Sequence, residues 1–124
     1  MKVLLSIKPE YVERIFSGQK KFEYRRTIFR DPNVTSVVVY ASSPVRLVVG
    51  EFEVNHVLQH SIKRLWKTTK EFAGISEENF FQYFWGKETG YAISIGRTRH
   101  YRRPLLLAKE FGIAPPQSFA YLDD

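Results

Sequence analysis

The chain contains no cysteine, which excludes disulfide bridges, thiolate catalysis and zinc sites built on sulfur. Its three histidines do not have the spacing of metal ligands, so we predict no metal and no other cofactor. The first apolar stretch ends at Lys8-Pro9, which makes it too short for a signal-peptide core or a membrane span. These absences favour a reducing, intracellular compartment, and we expect a cytoplasmic protein that does not contact membranes.

Apolar and aromatic residues, by contrast, are plentiful. In 124 residues the apolar fraction is 44% and the aromatic fraction 15%, which is enough to build one packed core. No linker, repeat or low-complexity tract divides the sequence. We therefore expect residues 1–124 to form a single globular domain.

The net charge is +6, from 19 basic and 13 acidic side chains. An excess of this size favours polyanionic partners such as nucleic acid, which bind through phosphate contacts and release of counterions. Several basic residues are candidates for contacts with a nucleic-acid backbone: Lys21, Arg97, Arg99, Arg102 and Arg103. The alternative is that these side chains only keep a surface and an edge strand in solution.

The pattern of apolar residues predicts several strands and about three short helices, an α+β fold. Strands are indicated at 2–7, 22–26, 36–41, 46–58 and 91–101, with a last short strand near 117–121. Helices are expected after Pro9, after Ser61 and after Ser76, the two serines being N-cap candidates. Gly50 predicts a bulge in the fourth strand. Because the order is not a regular alternation of strand and helix, we expect a small mixed β-barrel.

The most informative stretch is Gly-Gln-Lys-Lys-Phe-Glu-Tyr-Arg-Arg at residues 18–26. On an alternating strand Glu23 and Arg25 share a face and can pair, and Lys20 joins them if the chain turns after Gly18. We expect so much charge to face water or a ligand. Lys20 and Arg25 could hold a phosphate or a base edge while Glu23 accepts from an exocyclic amine. The alternative is a surface salt bridge of less than about 1 kcal/mol.

The spacing Gly18-x-Lys20-x-x-Glu23-x-Arg25, following a strand and a helix, resembles the hallmark of the ASCH (activating signal cointegrator homology) domain. The segments Tyr-Ala-Ser-Ser-Pro at 40–44 and Val-Val-Gly-Glu-Phe at 48–52 also resemble small stand-alone ASCH proteins. The resemblance implies a fold similar to the PUA domain, a pseudo-barrel that binds RNA. It also implies a cleft beside Gly18.

The residues expected to bind a ligand in this cleft are Lys20, Glu23, Arg25, Arg26, Tyr40, Ser42 and Ser43. Some family members remove an acyl group from N4-acetylcytidine, using a lysine that activates a threonine, and others have been described as ribonucleases. The lysine corresponds to Lys20, whereas Glu23 occupies the threonine position. If the chain is an enzyme, Lys20 and Glu23 are the expected catalytic residues.

Three functions therefore remain open. The first is an RNA-binding module, with DNA or a free modified nucleoside as other ligands. The second is a small hydrolase acting on a modified nucleoside or on RNA, in which Lys20 could activate Ser42 or Ser43. A Ser-Ser-Pro turn with hydroxyls bonded to local backbone is the competing interpretation of those serines. The third is a regulatory interaction domain without catalysis. The sequence predicts no oligomeric state.

Overall fold

The fold is built on a sheet of six strands with helices packed against it. The computed structural model describes residues 1–122. In chain order the elements are β1 (Lys2–Ile7), α1 (Pro9–Phe16), β2 (Phe22–Arg25), β3 (Ser36–Ala41), β4 (Leu47–Ser61), α2 (Ile62–Thr69), a 3₁₀ helix (Lys70–Phe72), α3 (Glu77–Tyr83), β5 (Thr89–Leu105), α4 (Leu107–Phe111) and β6 (Ala120–Leu122).

The strand order across the sheet is β2-β5-β4-β3-β1-β6. Strands β1 and β3 are parallel, and the other neighbouring pairs are antiparallel. The crossover between β1 and β3 carries α1 and β2. It therefore places the charged stretch after Gly18 at one edge of the sheet, against β5.

The predicted α+β class is confirmed, but the predicted barrel is wrong. Within residues 1–122, β2 and β6 form opposite edges of the sheet and do not pair with each other. They are short, four and three residues long. The segment before β6 reaches β2 through a side chain, because Arg25 Nη2 donates to the Ser118 carbonyl at 2.6 Å. The described residues also hold four α-helices rather than about three.

The central strands are buried on both faces, which explains their nearly continuous apolar sequence. Val3, Leu5 and Val39 belong to a core under α1. The alternate residues Leu4 and Tyr40 belong to a second core, which packs against α4 on the other side of the sheet. This alternation fixes which side chains can approach the face that carries α1.

Gly50 lies at an irregularity in the sheet, as predicted. The register of β4 against β5 shifts between Val48 and Gly50. A Cβ atom at Gly50 would lie 2.5 Å from the Phe16 ring and 2.6 Å from the carbonyl oxygen of Arg99. Only glycine lets α1 and β5 approach this closely.

The helix signals were partly correct. Ser76 caps α3, because its hydroxyl accepts from the backbone N–H of Asn79 at 3.1 Å. Ser61 precedes α2 but makes no capping hydrogen bond. Helix α3 ends at Tyr83, and Gly86 lies in the turn beyond it with φ of +85°. None of the helices in residues 1–122 has both the length and the apolar character needed to cross a bilayer.

Candidate functional site

A cavity of about 420 Å³ opens between α1, β2 and α3. Its size is within the range of small-molecule binding sites. The charged residues that line it are Lys8, Glu10, Lys20, Glu23 and Arg25. The lining also includes the aromatic residues Tyr11, Tyr24 and Tyr83, and the amides Asn79 and Gln82. The structure thus brings Lys20, Glu23 and Arg25 to one concave surface.

Lys20 is only 2% exposed, although the sequence predicted that this stretch would face water or a ligand. Its ammonium donates to the carbonyl oxygen of Ala73 at 2.7 Å. The same nitrogen lies 4.7 Å from the ring centroid of Tyr24 and 5.2 Å from that of Tyr11. One hydrogen bond and two cation–π contacts therefore replace part of the lost hydration.

Burial lowers the pKa of Lys20 from 10.5 to about 8. The nearby carboxylate of Glu23 opposes this change, and the guanidinium of Arg14 adds to it. Because the ammonium is the form that burial penalises, desolvation dominates. The amine can therefore lose its proton near neutral pH, unlike a surface lysine.

The turn that the sequence required after Gly18 is present, with φ of +87° at that glycine. The backbone N–H of Lys20 then donates to the Arg14 carbonyl at 2.9 Å, which returns the chain toward the cavity. Gly74, with φ of +62°, packs directly on the lysine stem. A Cβ atom at Gly74 would lie 2.4 Å from Lys20 Cβ.

Glu23 and Arg25 form the predicted pair. Glu23 is 6% exposed, and its Oε2 atom lies 3.3 Å from Nη1 of Arg25. The second guanidinium nitrogen of Arg25 is held by the Ser118 carbonyl. Both terminal nitrogens of the guanidinium are therefore held, so the pair presents a carboxylate and a cation in a defined orientation.

Two predicted residues next to this pair lie outside the cavity lining. Arg26 is exposed, and its Nη1 donates to the carbonyls of Tyr83 at 3.0 Å and of Trp85 at 3.4 Å. It supports the end of α3. Lys21 is also exposed, and its ammonium lies 5.6 Å from the ring centroid of Phe72.

The Tyr-Ala-Ser-Ser-Pro segment does not contribute side chains to the cavity lining. Tyr40 is buried against Leu107 on the opposite side of the sheet. Ser43 is exposed, and the backbone N–H of Ser42 donates to Ile7, which does line the cavity. The serines thus adjoin the site through the backbone of Ser42, and neither serine is among the residues that line the cavity with Lys20.

The outer basic residues Arg97, Arg99, Arg102 and Arg103 are all exposed along the second half of β5. Arg99 lies 3.7 Å from Glu51 and its guanidinium covers the ring of Tyr101. The hydroxyl of Tyr101 donates to Glu51 at 2.8 Å. This part of the strand is a basic surface with one internal ion pair.

The sequence did not point to Tyr11, Asn79 or Gln82 as walls of the cavity, and it offered a cleft position for Tyr83 only as the lesser alternative to core packing. Tyr11 is on α1, and Gln82 and Tyr83 are on α3, which is far from both Tyr11 and Lys20 in sequence. Tyr24 packs in the core and also lines the cavity, and burial raises its pKa to about 12.

Metal binding has no geometric support in the described part of the chain. Within residues 1–122, no group of three or more histidine, aspartate or glutamate side chains is placed to hold an ion.

The family model of the ASCH domain matches residues 5–98. The chain belongs to the ASCH domain family. The predicted resemblance is thereby confirmed, and the lysine motif lies inside the matched ASCH region.

Similar proteins support this assignment. The chain is 32% identical to a protein named ASCH domain-containing ribonuclease, from Zymomonas mobilis, over 96% of this chain and 82% of that one. The crystal structure of ASCH from Zymomonas mobilis matches with a TM-score of 0.90 and 28% identity, covering 98% and 87% of the two chains. A protein of Ureaplasma parvum named large ribosomal subunit protein uL22 is 28% identical over 97% of this chain, which spans only 39% of that relative.

Replacing Lys20 with methionine should change the pH dependence of stability. Between about pH 8 and pH 10.5 the unfolded chain keeps the lysine proton that the folded chain has lost, so the free energy of unfolding of the wild type rises with pH. The rise is on the order of 3 kcal/mol over this interval. Lys20→Met lacks this rise. The difference in free energy of unfolding between the two proteins, measured by urea denaturation at each pH, therefore reports the titration of Lys20, because the tyrosines are present in both. Parallel curves would contradict the lowered pKa.

Replacing Gly74 with alanine should displace Lys20. The added methyl group meets the lysine stem and the backbone φ is positive, so both strain and a clash are expected. Gly86 is the matched control, since it has φ of +85° but open space around its Cβ position. We expect Gly86→Ala to lower the free energy of unfolding by about 1 kcal/mol and Gly74→Ala by at least about 2 kcal/mol, measured by urea denaturation. Equal losses would show that the lysine stem yields without cost.

Proposed function

We propose that this ASCH domain binds RNA and holds one nucleotide in the cavity between α1, β2 and α3. The observation that carries the proposal is the convergence of Lys20, Glu23 and Arg25 on a concave surface of about 420 Å³. A buried cation, a buried carboxylate and an arginine fork offer both donors and acceptors to a base edge or a phosphate. Tyrosine rings at the same surface offer faces on which a base can stack.

The charge distribution supports a polyanionic ligand rather than a neutral one. The net charge is +6, and exposed arginines follow β5 away from the cavity. We propose that Lys21, Arg97, Arg99, Arg102 and Arg103 contact the nucleic-acid backbone. The name of the Zymomonas relative, a ribonuclease, also supports RNA over DNA.

Arg26, Tyr40 and Ser42 need different roles from those predicted. Since Arg26 holds the end of α3, we propose that it positions Tyr83 rather than touching the nucleotide. Tyr40 is proposed to act only in the core. The backbone N–H of Ser42 donates to the Ile7 carbonyl, and we propose that Ser42 shapes the edge of the cavity in this way.

Arg25→Ala should weaken RNA binding more than Arg102→Ala. Arg25 lines the cavity and has both guanidinium nitrogens held by protein groups, whereas Arg102 is exposed on β5. We expect about a tenfold loss of affinity for Arg25→Ala and a smaller loss for Arg102→Ala, measured by fluorescence anisotropy with single-stranded RNA. Wild-type binding should also weaken steeply as salt is raised.

The control for this comparison is the free energy of unfolding of both variants, because Arg25 also holds Ser118. Small and equal effects of the two substitutions would contradict recognition in the cavity. Binding that does not respond to salt would contradict a polyanionic ligand.

A second candidate function is hydrolysis of RNA or of an acylated nucleoside. It is favoured by one observation, the lowered pKa of Lys20 at the wall of the cavity. A base is most effective when its pKa lies near the working pH. In RNA cleavage the 2′-hydroxyl of the substrate can attack the adjacent phosphate while the neutral Lys20 amine takes its proton. The P–O5′ bond breaks, which leaves a 2′,3′-cyclic phosphate, and the departing 5′-oxygen takes a proton from water. The protein then needs a base such as Lys20 and no nucleophile of its own, with Glu23 orienting the substrate.

Incubation with structured RNA and with N4-acylated cytidines tests this candidate. We expect turnover that rises with pH through about 8, as the Lys20 amine loses its proton, and at least a hundredfold loss in Lys20→Ala. Turnover by the wild type no greater than that of Lys20→Ala would remove hydrolysis and leave the binding function.

A further inference from the structure

Trp85 is 80% exposed, more than any other large hydrophobic side chain among residues 1–122. Tryptophan is normally highly buried on average, because its indole has a large apolar surface. The other tryptophan of the chain, Trp66, follows this rule and packs 4.9 Å from Phe80 between ring centroids. The exposure of Trp85 therefore needs an explanation of its own.

The indole is carried on a well-supported turn rather than on a loose loop. Phe84, the preceding residue, is buried in the core under α2 and α3. The backbone N–H of Trp85 donates to the Gln82 carbonyl at 3.2 Å, and Arg26 donates to the carbonyls of both Tyr83 and Trp85. The backbone that carries the indole is therefore already held, so stacking on the ring would cost only the freedom of its side-chain rotamers.

The position of the turn relates the indole to the cavity. Gln82 and Tyr83 line the cavity, and Trp85 follows Tyr83 by two residues. Arg26 holds the turn, and its chain neighbour Arg25 lines the cavity, so cationic groups lie on this side. An exposed aromatic ring next to cationic groups has the composition of a stacking surface for single-stranded nucleic acid.

The surroundings of Trp85 do not favour a protein partner. Among its exposed neighbours in the chain, Gln82, Lys87 and Glu88 are polar and Gly86 has no side chain, while Tyr83 is 37% exposed and lines the cavity. The core of a protein interface needs a contiguous apolar patch, whereas one base needs only one ring face.

We propose that Trp85 stacks on the base next to the nucleotide held in the cavity. The ligand of this site is then a single-stranded RNA chain rather than a free nucleoside. This inference rests on the proposed function, since it extends the ligand of the same cavity by one nucleotide.

The test compares binding of an oligonucleotide with binding of mononucleotides. The probes are a fluorescein-labelled single-stranded RNA of mixed sequence, about eight nucleotides long, and the four ribonucleoside 5′-monophosphates. We expect Trp85→Ala to lower the affinity for the oligonucleotide about tenfold or more and to leave the affinity for the monophosphates unchanged. Trp85→Phe, which keeps a smaller ring, should lose less. Leu106→Ala removes an exposed apolar side chain elsewhere and should bind both probes like the wild type.

A spectroscopic measurement adds an independent readout. Trp66→Phe leaves Trp85 as the only tryptophan, so RNA binding should quench its fluorescence, while monophosphates should not. Oligonucleotide affinity that is equal in the wild type and Trp85→Ala would overturn the inference while leaving the proposed function intact. A concentration-dependent dimer that is lost in Trp85→Ala, with RNA affinity unchanged, would assign the ring to a protein contact and overturn it too. Wild-type protein that binds neither probe would instead reject the proposed function itself.

Discussion

The burial of one ammonium group organises the whole site. The Lys20 nitrogen contacts the Ala73 carbonyl and the rings of Tyr11 and Tyr24, which belong to the segment after the 3₁₀ helix, to α1 and to β2. A buried cation is costly unless all of these partners are present together. The three segments are therefore held in one arrangement by a shared electrostatic requirement, and the cavity is the space that this arrangement leaves open.

The sequence was most informative where local patterns decide the structure. The runs at 2–7 and 36–41 are strands with the predicted bounds, because their nearly continuous apolar sequence is typical of strands buried on both faces. Gly50 and Ser76 were interpreted correctly for a similar reason, since a close approach and a helix cap each demand particular residues. The pairing of Glu23 with Arg25 followed from the two-residue period of a strand.

Features that depend on tertiary contacts were not predictable. Nothing near Lys20 in sequence shows that the Ala73 carbonyl will accept a hydrogen bond from its ammonium, so the burial of Lys20 could not be inferred. Tyr40 was placed in the cleft from its motif, but the parity of β3 directs it to the opposite face. The sheet would close into a barrel only if its edge strands, β2 and β6, paired with each other. A hydrogen bond from the Arg25 side chain to the Ser118 carbonyl links these two edges instead.

The length of β5 limits how long a ligand must be to contact the whole of its exposed surface. The strand pairs with β2 at Tyr91, beside the cavity, and continues through Arg102. At about 3.3 Å per residue, the path between these two residues covers at most roughly 36 Å. That distance corresponds to on the order of ten stacked nucleotides. Under the proposed function, a short RNA fragment would occupy one end of the strand, and only a longer polymer would contact both ends at once.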